Sequence, residues 1–171
     1  MGKLARFASV VIVSTLLFST VAPADTTASK NEGEVRQLLD RWGKAFRAKD
    51  IDGVMAVYAP GTAVVAFDVI PPLERVGSKS YRKNYEDFFA TYEGPLDYEL
   101  RGLRIVAGKD LAFIHCLERV SGTLKGGQKS DLWLRVTSGL QKMNGRWFII
   151  HDHISVPMDF ETGKALLDLK P

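Results

Sequence analysis

The last predicted strand of the chain carries its densest set of ionisable side chains. Residues 145–157 read Gly-Arg-Trp-Phe-Ile-Ile-His-Asp-His-Ile-Ser-Val-Pro, so that His151, Asp152 and His153 interrupt an apolar run. Burying a polar group without a hydrogen-bond partner costs about 1–3 kcal/mol. The strand therefore belongs either to a satisfied polar network in the core or to the wall of a binding pocket.

A neighbouring strand adds an arginine to these candidates. Trp133, Arg135 and Thr137 alternate along the chain, and alternate residues share one face of a strand. The guanidinium group of Arg135 could anchor a ligand carboxylate. It could equally form an internal salt bridge to Asp68 or Asp152, and such a pair could also tune a pKa at a functional site.

Asp68 and His115 are single ionisable residues in apolar strands. Asp68 follows Val-Val-Ala-Phe and precedes a Pro-Pro pair, which suits either a buried general base or a turn cap. His115 is either a hydrogen-bonded core residue or a pocket residue. The spacing of His151 and His153 could suit a metal, but the third histidine lies on a strand predicted not to be adjacent, so we predict no metal site.

The N-terminal segment has the pattern of a secretory signal peptide. Lys3 and Arg6 precede an apolar run over residues 7–22, and Ala22-Pro23-Ala24 forms an A-x-A cleavage pattern. The run is shorter than the roughly 20 apolar residues that a spanning helix needs. We therefore predict a signal peptide over residues 1–24 and an exported protein, periplasmic or secreted, without membrane attachment after cleavage.

The mature chain is predicted to be one domain. Removing 24 of the 171 residues leaves 147, enough for a hydrophobic core. Removing Lys3 and Arg6 leaves 21 basic and 20 acidic residues, a balance that argues against nucleic-acid binding. Cys116 is the only cysteine, so an intramolecular disulfide is impossible.

Hydrophobic periodicity predicts three helices and then a set of long strands. The helices cover residues 32–48, 51–58 and 79–92, and the first has apolar residues at helical spacing on one face. A strand over residues 62–68 and a shorter one before Gly77 separate the second and third helices. Four strands follow, joined by glycine-containing turns typical of antiparallel hairpins: residues 96–107, 111–123, 131–142 and 146–157.

This order of elements predicts an α+β fold. The economical arrangement is a curved, mixed or antiparallel sheet wrapped around three helices, with a cone that can hold a ligand. Residues 25–31 are predicted to be a flexible N-terminus. Residues 158–171 are predicted to be a C-terminal tail with a short helix over residues 159–169.

Three motifs in this order resemble the NTF2-like superfamily, and within it the SnoaL-like and ketosteroid-isomerase-like proteins. They are Lys49-Asp50-Ile51-Asp52 with Tyr58-Ala59, Gly77 before the third helix, and the Gly-Arg-Trp…His-Asp-His-Ile-Ser strand. The resemblance covers residues 32–157 and implies the NTF2-like cone. The last strand also resembles the association domain of calmodulin-dependent kinases, in which His115 would fall on a pocket arginine.

The isomerase resemblance implies roles for several residues. Counting from Gly77 places Asp68 at the general base and Tyr85 at a supporting tyrosine, whereas counting from Tyr58 places Ala66 at the base. Trp42 replaces the oxyanion tyrosine, and Thr137 replaces the protonated aspartate. In this comparison Asp152 and Ile154 point into the cone, so that His151 and His153 face outward unless a bulge reverses them.

We predict a cone-shaped pocket for a small molecule that is acidic or aromatic, with Arg135 as the anchor for an acidic group. If the protein is an enzyme, Asp68 would be the base of an isomerase or lyase without a cofactor, and His115 or Arg135 would stabilise the oxyanion. The alternatives are a non-catalytic ligand-binding protein and an oligomerisation module, with a homodimer as the expected assembly. The remaining pocket residues would be Trp42, Tyr58, Tyr85, Trp133, Thr137, Asp152 and Ile154.

Overall fold

The computed structural model describes residues 26–171. The predicted signal peptide, residues 1–24, lies outside the described residues. No helix in the described part of the chain is long and apolar enough to cross a membrane.

Three helices and six strands follow one another along the chain. The helices are α1 (Thr26–Arg47), α2 (Ile51–Met55) and α3 (Ser78–Ala90). Two short strands, β1 (Val65–Phe67) and β2 (Arg75–Val76), lie between α2 and α3. Four long strands complete the sheet: β3 (Tyr92–Ala107), β4 (Leu111–Leu124), β5 (Lys129–Met143) and β6 (Arg146–Ser155).

The strands form one mixed sheet in the order β2-β1-β6-β5-β4-β3. Strands β3 to β6 pair as antiparallel neighbours, whereas β1 pairs with β6 in parallel. The sheet is curved around the helices, which confirms the predicted α+β cone. The apolar face of α1, with Val35, Leu38 and Trp42 among its members, is buried against the inside of this sheet.

Both ends of the domain differ from the prediction. Helix α1 begins at Thr26, so residues 26–31, which we expected to be flexible, are helical. The predicted helix over residues 159–169 does not form, and this segment has turns and a single bridge between Met158 and Ala165. The tail instead lies against the sheet, where Lys170 donates to the Asp131 carbonyl at 3.0 Å.

A β-bulge in β6 decides which side chains of that strand face the cone. Leu140 pairs with Ile149, but Gly139 pairs with His151, so Ile150 is an extra residue without a partner in β5. Because the bulge shifts the alternation by one residue, Ile149 and Asp152 are both buried. Simple alternation had placed these two residues on opposite faces.

Gly77 connects β2 to α3 in a conformation that favours glycine. Its φ is 89°, in the left-handed region that side chains rarely adopt. A Cβ atom there would lie 3.1 Å from the Gly61 carbonyl oxygen. The turn therefore holds the start of α3, and with it the tyrosines of α3, against the end of the sheet.

Candidate functional site

The cone contains two adjacent chambers. The inner chamber has a volume of about 30 Å³ and reaches Ser138 and Asp152. The outer chamber, of about 180 Å³, reaches Asp68 and the exposed Val69. Four residues line both chambers: Trp42, Tyr85, Glu118 and Ile154.

The sizes of the chambers suggest different occupants. A space of about 30 Å³ matches the share of one water molecule in the liquid, whereas an engineered protein cavity of about 150 Å³ binds benzene. The outer chamber is mostly apolar in its lining, with Phe46, Phe88 and Leu134 among its residues. It can therefore hold a compact molecule of about one ring.

Asp152 lies at the end of the inner chamber in a cage of hydroxyl groups. Ser138 Oγ donates to Oδ1 at 2.6 Å, and the hydroxyls of Tyr58 and Tyr81 donate to Oδ2 at 2.8 and 3.2 Å. The Tyr85 hydroxyl lies 2.8 Å from that of Tyr58. Because Tyr81 and Tyr85 come from α3 and Ser138 from β5, the cage joins the helix to the sheet.

Burial dominates the electrostatics of this cage. Desolvation raises the pKa of Asp152 despite the opposing effect of its three hydroxyl donors. Burial also raises the pKa of Tyr58, Tyr81 and Tyr85 well above the ordinary tyrosine value. The three phenols therefore stay protonated and serve as hydrogen-bond donors at any ordinary pH.

Glu118 is a second buried carboxyl group, on β4, and it lines both chambers. Only 8 % of the residue is exposed. Burial is the largest cause that raises the pKa of Glu118 to about 8, followed by the charge of Asp152. The Tyr98 hydroxyl donates to Oε2 at 3.3 Å and acts in the opposite direction. Glu118 is therefore a neutral acid at pH 7 that can donate a proton into the cavity.

Asp68 lies at the mouth of the outer chamber and has a different environment. It is half-buried. The Asn84 amide donates to Oδ2 at 2.6 Å, and the Val69 backbone N–H donates to Oδ1 at 2.6 Å. These two N–H donors match the acceptor oxygens of a carboxylate. Asp68 can thus accept a proton from a molecule in the chamber.

Trp42 lines both chambers and has a hydrogen-bond donor that is unpaired within residues 26–171. Its residue is buried, and its indole N–H has no hydrogen-bond partner among the described residues. A buried N–H without a partner costs free energy that an acceptor from a ligand would recover. Trp42 is therefore a donor that a ligand acceptor would satisfy if the ligand displaced the side chains covering this N–H.

Several predicted pocket residues lie on the outer face of the sheet instead. On β5 the residues that face the cone are Leu134, Val136 and Ser138, which line the chambers. The intervening residues, Trp133, Arg135 and Thr137, therefore face outward. The prediction that they line the pocket is wrong. The alternation of apolar residues decides which face of β5 is buried, and the comparison with ketosteroid isomerases placed the inward positions one residue off.

The outward residues of β5 have partners on the outside of the sheet. Arg135 is exposed, and its Nη2 donates to the Val156 carbonyl at 2.9 Å. The Arg101 guanidinium lies 4.8 Å from the centre of the Trp133 ring. Arg135 therefore cannot anchor a ligand carboxylate within the cone, and neither of its proposed internal salt bridges forms.

His115 is also on the outer face, contrary to prediction. Its neighbours on β4, Ile114 and Cys116, line the inner chamber, whereas His115 is exposed and pairs with Thr137 across the sheet. Sequence reasoning missed Glu118, Ser138 and Asn84. Tyr81 was likewise absent from the predicted site. Alternation along β4 could have identified Glu118, because this residue shares one largely apolar face of the strand with Ile114, Cys116 and Val120.

The other two histidines do not enter the chambers either. His153 is exposed, and the Nδ1 atom of His151 lies 2.9 Å from the Val65 carbonyl oxygen. Both rings contact Phe67 on the outer face, with centroids 4.9 and 5.8 Å away. Within residues 26–171, no group of three or more His, Cys, Asp or Glu side chains could hold a metal ion.

A larger groove of about 600 Å³ lies outside the cone, between α1, α2 and the β5–β6 hairpin. Its lining includes the charged residues Glu34, Arg41, Lys44 and Arg146. Neither Glu118 nor Asp152 is among its lining residues. The buried carboxyl groups thus belong to the cone and make it the better candidate site.

Comparison with known proteins agrees with this architecture. A SnoaL-like domain profile matches residues 35–159. An NTF2-like protein of unknown function from Pseudomonas putida KT2440 is 39% identical, with 84% of this chain and 99% of that chain covered and a TM-score of 0.76. No curated protein sequence matches the chain.

Two more distant structures share the fold. A ketosteroid isomerase-like protein from Erwinia carotovora atroseptica SCRI1043 is 21% identical, covers 74% of this chain and 95% of its own, and has a TM-score of 0.63. A calcium/calmodulin dependent protein kinase II association-like domain from Xanthomonas campestris is 23% identical, covers 80% and 88%, and also has a TM-score of 0.63. The profile match spans most of the chain, and the chain therefore belongs to the SnoaL-like family of the NTF2-like superfamily.

Proposed function

We propose that this protein binds a compact, largely apolar molecule in the outer chamber and transfers a proton on it, as an isomerase or lyase does. The observation that carries the proposal is a pair of carboxyl groups in contrasting environments on one cavity. Glu118 is buried and its pKa is about 8, whereas Asp68 is half-buried with two N–H partners. Such contrasts assign acid and base roles in enzymes.

The reaction would move one proton along a carbonyl compound with a neighbouring double bond. Asp68 would take a proton from the carbon next to the carbonyl group. Glu118 and the Trp42 N–H would hydrogen-bond to the carbonyl oxygen and stabilise the charge that develops there. Asp68 would then return the proton to the far end of the double bond, which leaves the protein unchanged.

The lining of the chambers disfavours an acidic ligand. This corrects the prediction of an acidic ligand, which assumed that Arg135 faces the pocket. No Lys, Arg or His is among the described residues that line either chamber. A carboxylate ligand would therefore meet two carboxyl groups without a counter-charge, which is strongly unfavourable in a buried site. A ligand with an aromatic or alicyclic ring remains compatible with the lining. The ketosteroid isomerase-like relative adds support by analogy of fold.

The conversion of 3-cyclohexen-1-one to 2-cyclohexen-1-one tests this proposal with a single-ring probe. We expect the protein to accelerate it at pH 7, and Asp68→Asn or Glu118→Gln to lower kcat/KM by about 100-fold or more. Arg135→Ala is the matched control on the outer face and should retain full activity. An unaccelerated reaction, or equal rates in all four proteins, would count against proton transfer in the cone.

Self-association through the outer sheet face is a second proposal, supported by exposed apolar side chains. Val106 and Phe113 are 66% and 47% exposed, and Phe67 is 39% exposed. Burying such side chains between two copies would release water from apolar surface. Sedimentation is expected to show a dimer that Phe113→Glu weakens. A monomer at all concentrations would remove this proposal.

A further inference from the structure

The charges and rings around the outer chamber favour one kind of ligand in particular. Carboxyl groups lie at both ends, Glu118 at the inner end and Asp68 at the mouth. In the same lining Phe46 stacks on Trp42 and on Phe88, with centroids 4.8 and 5.8 Å apart, and the three rings form an aromatic wall. Aromatic walls with nearby carboxylates attract cations, quaternary ammonium groups above all.

The Glu118 carboxyl group still has a free oxygen. Among residues 26–171, its only side-chain hydrogen bond is from Tyr98 to Oε2, and Oε1 has no partner. More than nine-tenths of the residue is buried, and it lines both chambers. An ionised Glu118 therefore lacks a counter-charge from the protein, which a bound cation would supply.

We propose that the outer chamber is a binding site for organic ammonium cations, with the aromatic wall around the cation and the Glu118 carboxylate as its counter-charge. This inference rests on the cone being a ligand site, as proposed above, but it does not require proton transfer. A volume of about 180 Å³ suits a trimethylammonium head group with a short substituent, because a cavity of about 150 Å³ holds benzene.

Cation binding must be coupled to proton release. Glu118 is protonated at pH 7, since its pKa is about 8, and a cation binds best to the carboxylate. The titratable groups that face it are Tyr98 from β3, Tyr85 from α3, Cys116 on β4, Asp152 from β6 and Asp68 after β1. Burial raises the pKa of four of these groups, none of which carries a positive charge: Tyr98, Tyr85, Cys116 and Asp152.

The cation and a neutral carbonyl substrate therefore require opposite states of Glu118. The substrate needs the protonated acid as a donor, and the cation needs the carboxylate. An ammonium compound is expected to inhibit the proposed isomerisation competitively. Its inhibition should strengthen as the pH rises towards 8.

The test compares choline with its neutral analogue 3,3-dimethylbutan-1-ol, which has the same shape without the charge. We expect choline to bind at least about tenfold more tightly at pH 8. Its affinity should fall by about tenfold between pH 7 and pH 6, and calorimetry in two buffers at pH 7 should show release of about 0.9 proton per choline. The neutral analogue should show neither effect.

Two variants distinguish the local charge from the net charge of the protein. Glu118→Gln should remove the preference for choline and the proton release, whereas Glu74→Gln, an exposed site with the same change of charge, should retain both. A melting curve checks that each variant is folded.

Equal binding of choline and its analogue, or choline binding without proton release, would overturn the ammonium proposal. Either result would leave the proton-transfer proposal intact. If no choline binds while 2-cyclohexen-1-one does, the ammonium proposal fails alone. If none of the three probes binds, the cone is not a ligand site of this size and both proposals fail.

Discussion

Replacing Glu118 with glutamine is expected to stabilise the protein at neutral pH and to have little effect at pH 5. The side chain is 8 % exposed, and its pKa is about 8 in place of 4.5. Glutamine has the shape of the protonated acid, and its carbonyl oxygen can accept the Tyr98 hydrogen bond. The substitution therefore removes the cost of keeping this carboxyl group out of water at higher pH.

The magnitude follows from proton linkage. Between pH 4.5 and pH 8 the unfolded chain loses the Glu118 proton while the folded protein keeps it, so the free energy of unfolding falls as the pH rises. Each pH unit contributes about 1.4 kcal/mol, which gives an upper limit of about 3 kcal/mol at pH 7. The penalty levels off above about pH 8, where the folded protein also ionises.

Urea unfolding of the native protein and of Glu118→Gln at pH 5, 6, 7, 8 and 9 measures this difference. The gain in the free energy of unfolding should stay below about 1 kcal/mol at pH 5 and should grow up to about pH 8. Glu74→Gln, at an exposed position, serves as the control and should show no such growth. A difference that is constant with pH, or a less stable variant at pH 7, would refute the reasoning.

Three further predictions follow from the same contacts. Asp152→Ala leaves the hydroxyls of Ser138, Tyr58 and Tyr81 without their acceptor, so urea unfolding should show a loss of about 3 kcal/mol or more; a loss below about 1 kcal/mol would contradict the role of the cage. Arg135→Ala should leave the affinity for 2-cyclohexen-1-one unchanged in a fluorescence titration, and a large loss would place Arg135 in the site after all. The mature protein from an exporting host should begin at Asp25 by intact mass, and a full-length mass would argue against cleavage.

Most of the fold follows from patterns that the sequence displays directly. The apolar spacing of α1 indicated its buried face, and Val35, Leu38 and Trp42 are all buried. Asn144 and Gly145 indicated the β5–β6 hairpin, and both have positive φ, as a type I′ turn requires. These signals are local, and each is determined by a few consecutive side chains.

The site was harder to predict because its faces depend on register. One extra residue, Ile150, shifts β6 by one position, and nothing in its side chain indicates a bulge. On β5 the comparison with ketosteroid isomerases predicted that Arg135 and Thr137 point into the cone. The more apolar face of the strand, however, consists of Leu132, Leu134 and Val136. Hydrophobic alternation was the better guide there, since burial of leucine and valine stabilises the fold by more than an inward arginine could.

Glu118 was missed for a related reason. An acidic residue between Leu117 and Arg119 reads as a solvent-exposed position, yet it shares a face with Ile114, Cys116 and Val120. Its importance arises only in the folded protein, where burial desolvates the carboxyl group and Trp42 of α1 and Tyr85 of α3 line the same chambers. A single strand contains no information about which helices lie above it.

The titration of Glu118 itself tests the central claim most directly. Carbon-13 NMR of protein labelled at the glutamate side-chain carboxyl carbons, with Glu118→Gln to assign the signal, would report its protonation between pH 3 and pH 10. The burial of Glu118 in the cone predicts a midpoint at about 8. We expect 2-cyclohexen-1-one to leave this midpoint high and choline to lower it. A midpoint near 4.5 that neither compound moves would show that Glu118 is solvated, and the proposed acid in the cone would be contradicted.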